Sequence, residues 1–205
     1  MARRLTPRGE QRRNELMGFA TARFAANGYH STSVAELVDG LGVGKGVFYW
    51  YFDSKEELFI EILRDGERAL RRAQWEAIGD ESVPLARLEL AIRSSMDWWS
   101  SHRDLYVLIE FARTEASFAS SIRKGERVAL ADTQKLVQEA IDTGAIPDRN
   151  AVVVAQAVLG VSSILARTQL LGRKRPASDV ADEVIDFCRH GLVGSPTDGR
   201  AQRTA

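Results

Sequence analysis

The stretch that most constrains this chain is 32–52, TSVAELVDGLGVGKGVFYWYF. Ser33 followed three residues later by Glu36 is a capping box, in which hydroxyl and carboxylate each accept the other residue's backbone N–H. Thr32 is an equally good N-cap. Val34, Leu37, Val38 and Leu41 then recur at helical spacing and form one apolar face. Gly42 supplies the left-handed residue that ends a helix. A second short helix begins near Gly44 and carries Lys45, Val47, Phe48, Tyr49 and Trp50. Two short helices joined by a glycine turn make a helix–turn–helix pattern, and the remaining chain must supply its scaffold.

That remainder reads as helical. At 205 residues the chain is long enough for one large or two small domains with a proper core. No alternating β-rich run or hairpin signal appears, so an all-α fold is predicted. Charge is neutral overall but uneven. The first 55 residues hold eight Lys/Arg against five acids, a net +3, which predicts a local anion-binding surface. The single cysteine, Cys188, excludes an intramolecular disulfide and fits a reducing cytoplasm. No apolar segment follows the N-terminal arginines, so no signal peptide is expected. The most apolar run, 151–166, is interrupted by Gln156, Ser162 and Ser163 and falls short of the ~20 residues that cross a bilayer. It is predicted to be a buried helix, with no membrane partner.

Nine helices are expected. The first covers 9–26, stopped by Asn27-Gly28, with Tyr29 packing back on it. The second and third lie in the opening stretch. The fourth starts in FDSKEEL, where Ser54 and Glu57 form a second capping box, and runs to about Ala77 with Gly66 as an internal weak point. IGDESVP at 78–84 is a polar linker. A fifth helix follows Pro84, a sixth spans 103–116, a seventh 118–143, an eighth 149–171, and a ninth starts with Ser178 as its cap. Residues 1–8 and 194–205 read as disordered tails, 9–69 as one domain, and 80–193 as a second.

Residues 9–60 resemble the DNA-binding domain of TetR-type (tetracycline-repressor-like) transcriptional regulators. The matching pieces are ARFAANGY at 22–29, TSV at 32–34, LGV at 41–43, YWYF at 49–52 and SKEEL at 54–58, in order and without a gap. The resemblance implies an N-terminal three-helix helix–turn–helix domain, joined by the fourth helix to a larger helical ligand-binding and dimerisation domain. Beyond the fourth helix it is architectural only. Val38, Gly44 and Val47 depart from the usual small alanine, Ser/Thr cap and threonine.

By that resemblance the third helix enters the major groove. Gly44 and Gly46 would let its backbone approach, Lys45 would donate to a base edge or phosphate, and Val47 would meet a thymine methyl. Tyr49, Trp50 and Lys55 would contact phosphates, as would Thr32 and Ser33 at the start of the second helix. Phe48 and Phe52 are expected in the core, as is Tyr51. The arginines ahead of the first helix are candidates for a minor-groove arm.

One helix–turn–helix reads few base pairs, so useful specificity calls for a homodimer on a palindromic operator. The eighth helix, apolar nearly all round, together with the ninth, is the expected dimer interface. The aromatic residues Trp98, Trp99, Tyr106, Phe111 and Phe118, with His102 and Arg103, are the expected lining of an apolar effector pocket. The function so implied is a ligand-responsive regulator, a repressor released by a largely apolar effector. The rival is a helical ligand- or protein-binding dimer that has lost specific DNA binding. Catalytic, metal and cofactor sites are not expected. The histidines at 30, 102 and 190 are scattered, no HExxH, GxSxG or phosphate-loop pattern occurs, and Cys188 lies on an apolar helix face.

Overall fold

A computed structural model of the chain describes residues 6–193, without the side chain of Val193. Among the described residues there are nine α-helices and no strand: α1 Pro7–Asn27, α2 Val34–Gly40, α3 Lys45–Tyr51, α4 Lys55–Ile78, α5 Pro84–Ser101, α6 Arg103–Thr114, α7 Ala119–Asp142, α8 Ala151–Leu165 and α9 Ala177–Val193. A 3₁₀ turn, Ala116–Phe118, precedes α7, and a π-helical segment, Ala166–Gly172, continues α8.

The chain packs as two compact units. The first gathers the residues up to Arg71 with His102–Glu126; the second gathers Arg72–Ser101 with the residues from Arg127 onward. The residue grouping therefore departs from chain order, because α6 and the start of α7 pack with the N-terminal helices.

In the first unit, α1 begins two residues before its predicted start. Thr6 accepts the Gly9 N–H at 3.2 Å, and Pro7, fixed at a helical φ, occupies the first turn. Residues 6–8 are thus ordered, whereas the remaining tail residues, 1–5 and 194–205, lie outside the described residues. Leu16, Met17, Ala20 and Phe24 form the buried face of α1. Phe48, Phe52, Leu58, Phe59, Ile62 and Leu63 are buried alongside Leu105, Leu108, Ala112 and Phe118. Gly66 is a point of contact rather than a simple weak point. A Cβ there would run into the buried Leu105 side chain of α6, which would have to shift to make room.

The second unit is built on Leu88, Ile92 and Met96 of α5, Leu136, Val137 and Ala140 of α7, Val154 and Val158 of α8, and Val180, Val184 and Ile185 of α9. Ion pairs Arg93–Asp182 and Arg189–Glu89 tie α5 to α9 at the surface. The α9 start is capped differently from expectation. The Pro176 carbonyl accepts the Val180 N–H, while the Ser178 hydroxyl turns to Asp179.

The eighth helix is longer than its apolar run suggests: with the π-helical continuation it spans 151–172, 22 residues that hold an 18-residue window of mean hydropathy 1.6, enough to cross a bilayer by length and composition alone. Within the chain one side of it is covered. Ala151, Val154, Ala155, Val158, Ala166 and Leu170 face the core, whereas Val153 is 58% and Ile164 49% exposed.

Candidate nucleic-acid interface

The helix–turn–helix assembles as its sequence signals require. Ser33 and Glu36 form the reciprocal box: the Glu36 N–H reaches the Ser33 hydroxyl at 3.2 Å, and the Ser33 N–H reaches the Glu36 carboxylate at 2.6 Å. The backbone bond to Ser33, followed by its hydroxyl, holds the Glu36 carboxyl below its usual range. After α2, Gly42 adopts φ 65°. The Gly42 N–H returns to Asp39 and the Val43 N–H to Val38, the paired bonds of a Schellman stop.

This turn delivers α3 with Phe48 fully buried, Phe52 behind it, and the opposite face outward. Lys45 and Gly46 are exposed, Tyr49 and Trp50 are each 56% exposed, and Val47 is half-buried. Tyr51 is half-buried rather than core. Gly44 caps α3 without a side-chain bond. A Cβ on Gly44 or Gly46 would meet no atom of the chain, so no internal packing demands either glycine. The outward face of α3 therefore combines a flexible cation, two amphipathic aromatics and a bare backbone strip. That combination suits close approach to a groove flanked by phosphates.

Two of the residues expected to contact DNA have partners within the chain. Thr32 is 1% exposed, and its hydroxyl donates to the Gly28 carbonyl at 2.9 Å, so it closes the α1–α2 loop and offers no outward donor. Lys55 is half-buried. Its ammonium donates to the Tyr29 and Thr32 carbonyls, each at 2.8 Å, and lies 4.3 Å from the centre of the Tyr29 ring. Burial pulls the Lys55 pKa down, with Glu36 opposing. Within α1, Arg13 is spent internally, against Glu61 at 2.9 Å and over the Phe52 ring, and Arg12 pairs with Glu15. The arginines of the expected arm are Arg3, Arg4 and Arg8. Arg8 is exposed; Arg3 and Arg4 lie outside the described residues.

The residues expected around an effector fall in both units. Trp98 and Trp99 stack edge-to-face at 4.8 Å in the second unit, where Trp99 packs against the core. His102, Arg103, Tyr106, Phe111 and Phe118 belong to the first unit. There Phe111 and Phe118 join a ring cluster that the sequence pattern did not reveal. Phe59–Phe118 lie 4.4 Å apart, Tyr29–Phe59 4.9 Å, Tyr29–Phe118 5.3 Å and Tyr29–Phe111 5.6 Å. The signal for it was the isolated Tyr29 after Gly28, whose partners are 30 and about 80–90 residues away in sequence. Burial raises the Tyr29 pKa, with help from Glu56 and Glu115. His30 is an exposed loop residue with Nε2 3.4 Å from the Glu115 carboxylate. Among the described residues no group of three or more His, Cys, Asp or Glu is placed to hold a metal.

Among the described residues, a helix–turn–helix whose first helix ends in a Schellman stop and whose second turns a cation and two aromatics outward fits the DNA-reading, transcriptional-regulator class. The family model "Bacterial regulatory proteins, tetR family" matches residues 19–62. The chain is similar to the transcriptional activator FasR of Mycolicibacterium smegmatis, 32% identical over 91% of this chain and 85% of that protein. It is also similar to the transcriptional repressor KstR2 of that organism, 26% identical over 93% and 95% of the two chains. Its fold matches that of FadR from Bacillus subtilis, solved in complex with stearoyl-CoA, with a TM-score of 0.78 at 19% identity over 87% of this chain and 98% of that one. The chain belongs to the TetR family of transcriptional regulators.

Proposed function

We propose that the protein binds a palindromic operator as a homodimer, represses transcription from it, and is released by a small, largely apolar effector. The observation that carries this reading is the face of α3. Lys45, Tyr49 and Trp50 project from a helix whose other side, Phe48 and Phe52, is locked in the core. Ser33, exposed at the start of α2, adds a second donor: its hydroxyl accepts within the cap but keeps its own proton to donate. Gly44 and Gly46 allow approach, and Val47 supplies apolar contact. The reading places the protein in the cytoplasm, where its DNA is, and assigns it no catalytic step and no cofactor.

Support for the homodimer comes from α8 and α9. Val153, Ala157, Gly160 and Ile164 recur along one exposed side of α8, and Phe187 of α9 is 63% exposed. Large apolar residues at the ends of the stripe and small ones between them suit two such helices crossing closely about a two-fold axis. The effector class rests on kinship with regulators of this fold, one of which holds stearoyl-CoA. An acyl derivative whose long chain supplies the apolar part, with a polar carrier attached, is therefore the first effector to try.

Selection of bound sequences from a random duplex pool tests the reading. Recovery of a palindrome supports it, and release of that DNA by stearoyl-CoA supports the effector class. A folded dimer that enriches no sequence would instead favour the ligand- or protein-binding rival, in keeping with the uncapped Gly44 and the half-buried Val47.

A further inference from the structure

Lys55 opens α4, beside the helix–turn–helix, where a lysine is well placed to grip a DNA phosphate. Its surroundings point to another task. An ammonium has three donors. Two are taken by the carbonyls of Tyr29 and Thr32 at 2.8 Å, and the face of the Tyr29 ring lies 4.3 Å from the charge. The same short loop is closed from within. The Thr32 hydroxyl binds the Gly28 carbonyl, and the Thr32 N–H reaches the Tyr29 carbonyl at 3.4 Å. Thr32 immediately precedes Ser33, the cap of α2, and α2 fixes α3 through the Gly42 stop and the shared burial of Leu37, Val38 and Phe48. The Tyr29 ring is in turn held by Phe59, Phe111 and Phe118.

We propose that Lys55 is a positioning residue that fixes where α2 begins, and so how α3 meets the bases, instead of a phosphate ligand. This rests on the reading of α2 and α3 as the DNA-reading helices. Lys55 draws two carbonyls of the α1–α2 loop onto one charge, so the start of α2 is fixed against α4 and the ring cluster. Removing the charge frees both carbonyls and lets the loop, with α2 and α3 behind it, settle in more than one place. DNA is still attracted, but the correct sequence is no longer read better than others.

The test is fluorescence anisotropy with the full chain and its Lys55→Met variant, on the selected operator and on a scrambled duplex of equal length, across a salt series. Both proteins are first checked for a melting transition well above the assay temperature and for an equal active fraction. Loss of two charge-assisted hydrogen bonds is expected to weaken operator binding about tenfold or more. Scrambled-duplex binding and the salt slope should stay at wild-type values. A fall in both affinities by the same factor, with the slope reduced by about one, would make Lys55 a phosphate ligand and overturn the proposal. Equal loss on both duplexes with an unchanged slope would mark general destabilisation and also overturn it. If Lys55→Met does not fold, Lys55→Arg decides. It keeps the charge, so a phosphate ligand predicts near wild-type binding on both duplexes. The positioning role predicts a lost preference for the operator, because a planar guanidinium cannot take the ammonium's place between two carbonyls and a ring. A wild-type chain that enriches no sequence would remove the DNA-reading premise itself, a failure visible before any variant is made.

Discussion

Single residues set the geometry of the DNA-reading helices. Ser33 illustrates how directly. Its hydroxyl and the Glu36 carboxylate satisfy two backbone donors at the start of a seven-residue helix, too short to hold itself together in isolation. Ser33→Ala should cost about 1 kcal/mol in urea denaturation near neutral pH. The Glu36 carboxyl lies below its usual range, so its stabilisation is present above the unfolded-state pKa and is lost as pH falls through the folded value. The gap between wild type and Ser33→Ala should therefore narrow in acid; a gap that widened there would contradict the box. Ser33 and Glu36 were legible in the sequence because a cap is local. Thr32 and Lys55 were not. Each reads as an outward polar residue at a helix start, and their partners within the chain are backbone carbonyls that only the folded loop brings into reach.

At the scale of elements, helices were readable where periodicity and stop signals agreed, as at Gly42 and at Asn27-Gly28. What periodicity cannot state is which helix a face meets. Gly66 looked like a local cost in α4, and its value appears only when Leu105 of α6 lies against it. Gly66→Ala gives the test. Helix propensity alone predicts a gain of about 1 kcal/mol. The close approach predicts a net loss of about 1–3 kcal/mol, because Leu105 or the α6 backbone must move. A raised melting temperature would refute the close-packing account. Likewise the sequence puts Tyr51 in the core and Phe111 and Phe118 at an effector pocket. Folding sorts them into a half-buried surface residue and two members of the ring cluster at Tyr29. The α8 segment is apolar nearly all round, which marks it for cover on two sides; within the chain one side is covered, and composition does not name what covers the other.

For the whole molecule, that uncovered side of α8 is the feature to explain. An exposed stripe from Val153 to Ile164 on α8, together with the exposed Phe187 on α9, is costly to leave in water and fits a second copy of the chain. Ile164→Glu combined with Phe187→Glu alters only exposed side chains, so each chain should still fold. Light scattering at micromolar concentration should then give the mass of one chain where wild type gives two. An unchanged dimer would place the interface elsewhere. Dimerisation matters to function because one α3 reads too few base pairs, and two must be presented about 34–36 Å apart, one turn of DNA.

The most direct measurement follows from that spacing. Affinity is measured for the selected palindrome and for the same duplex with five base pairs inserted at its centre. Half a turn of DNA carries the second half-site to the opposite face, where a two-fold dimer cannot engage both. The account predicts that binding to the lengthened site falls to the level of a single half-site, a loss of about 100-fold or more if both halves contribute through linked binding. Equal affinity for the two duplexes would contradict it, because α3 would then not be reading DNA from a symmetric dimer.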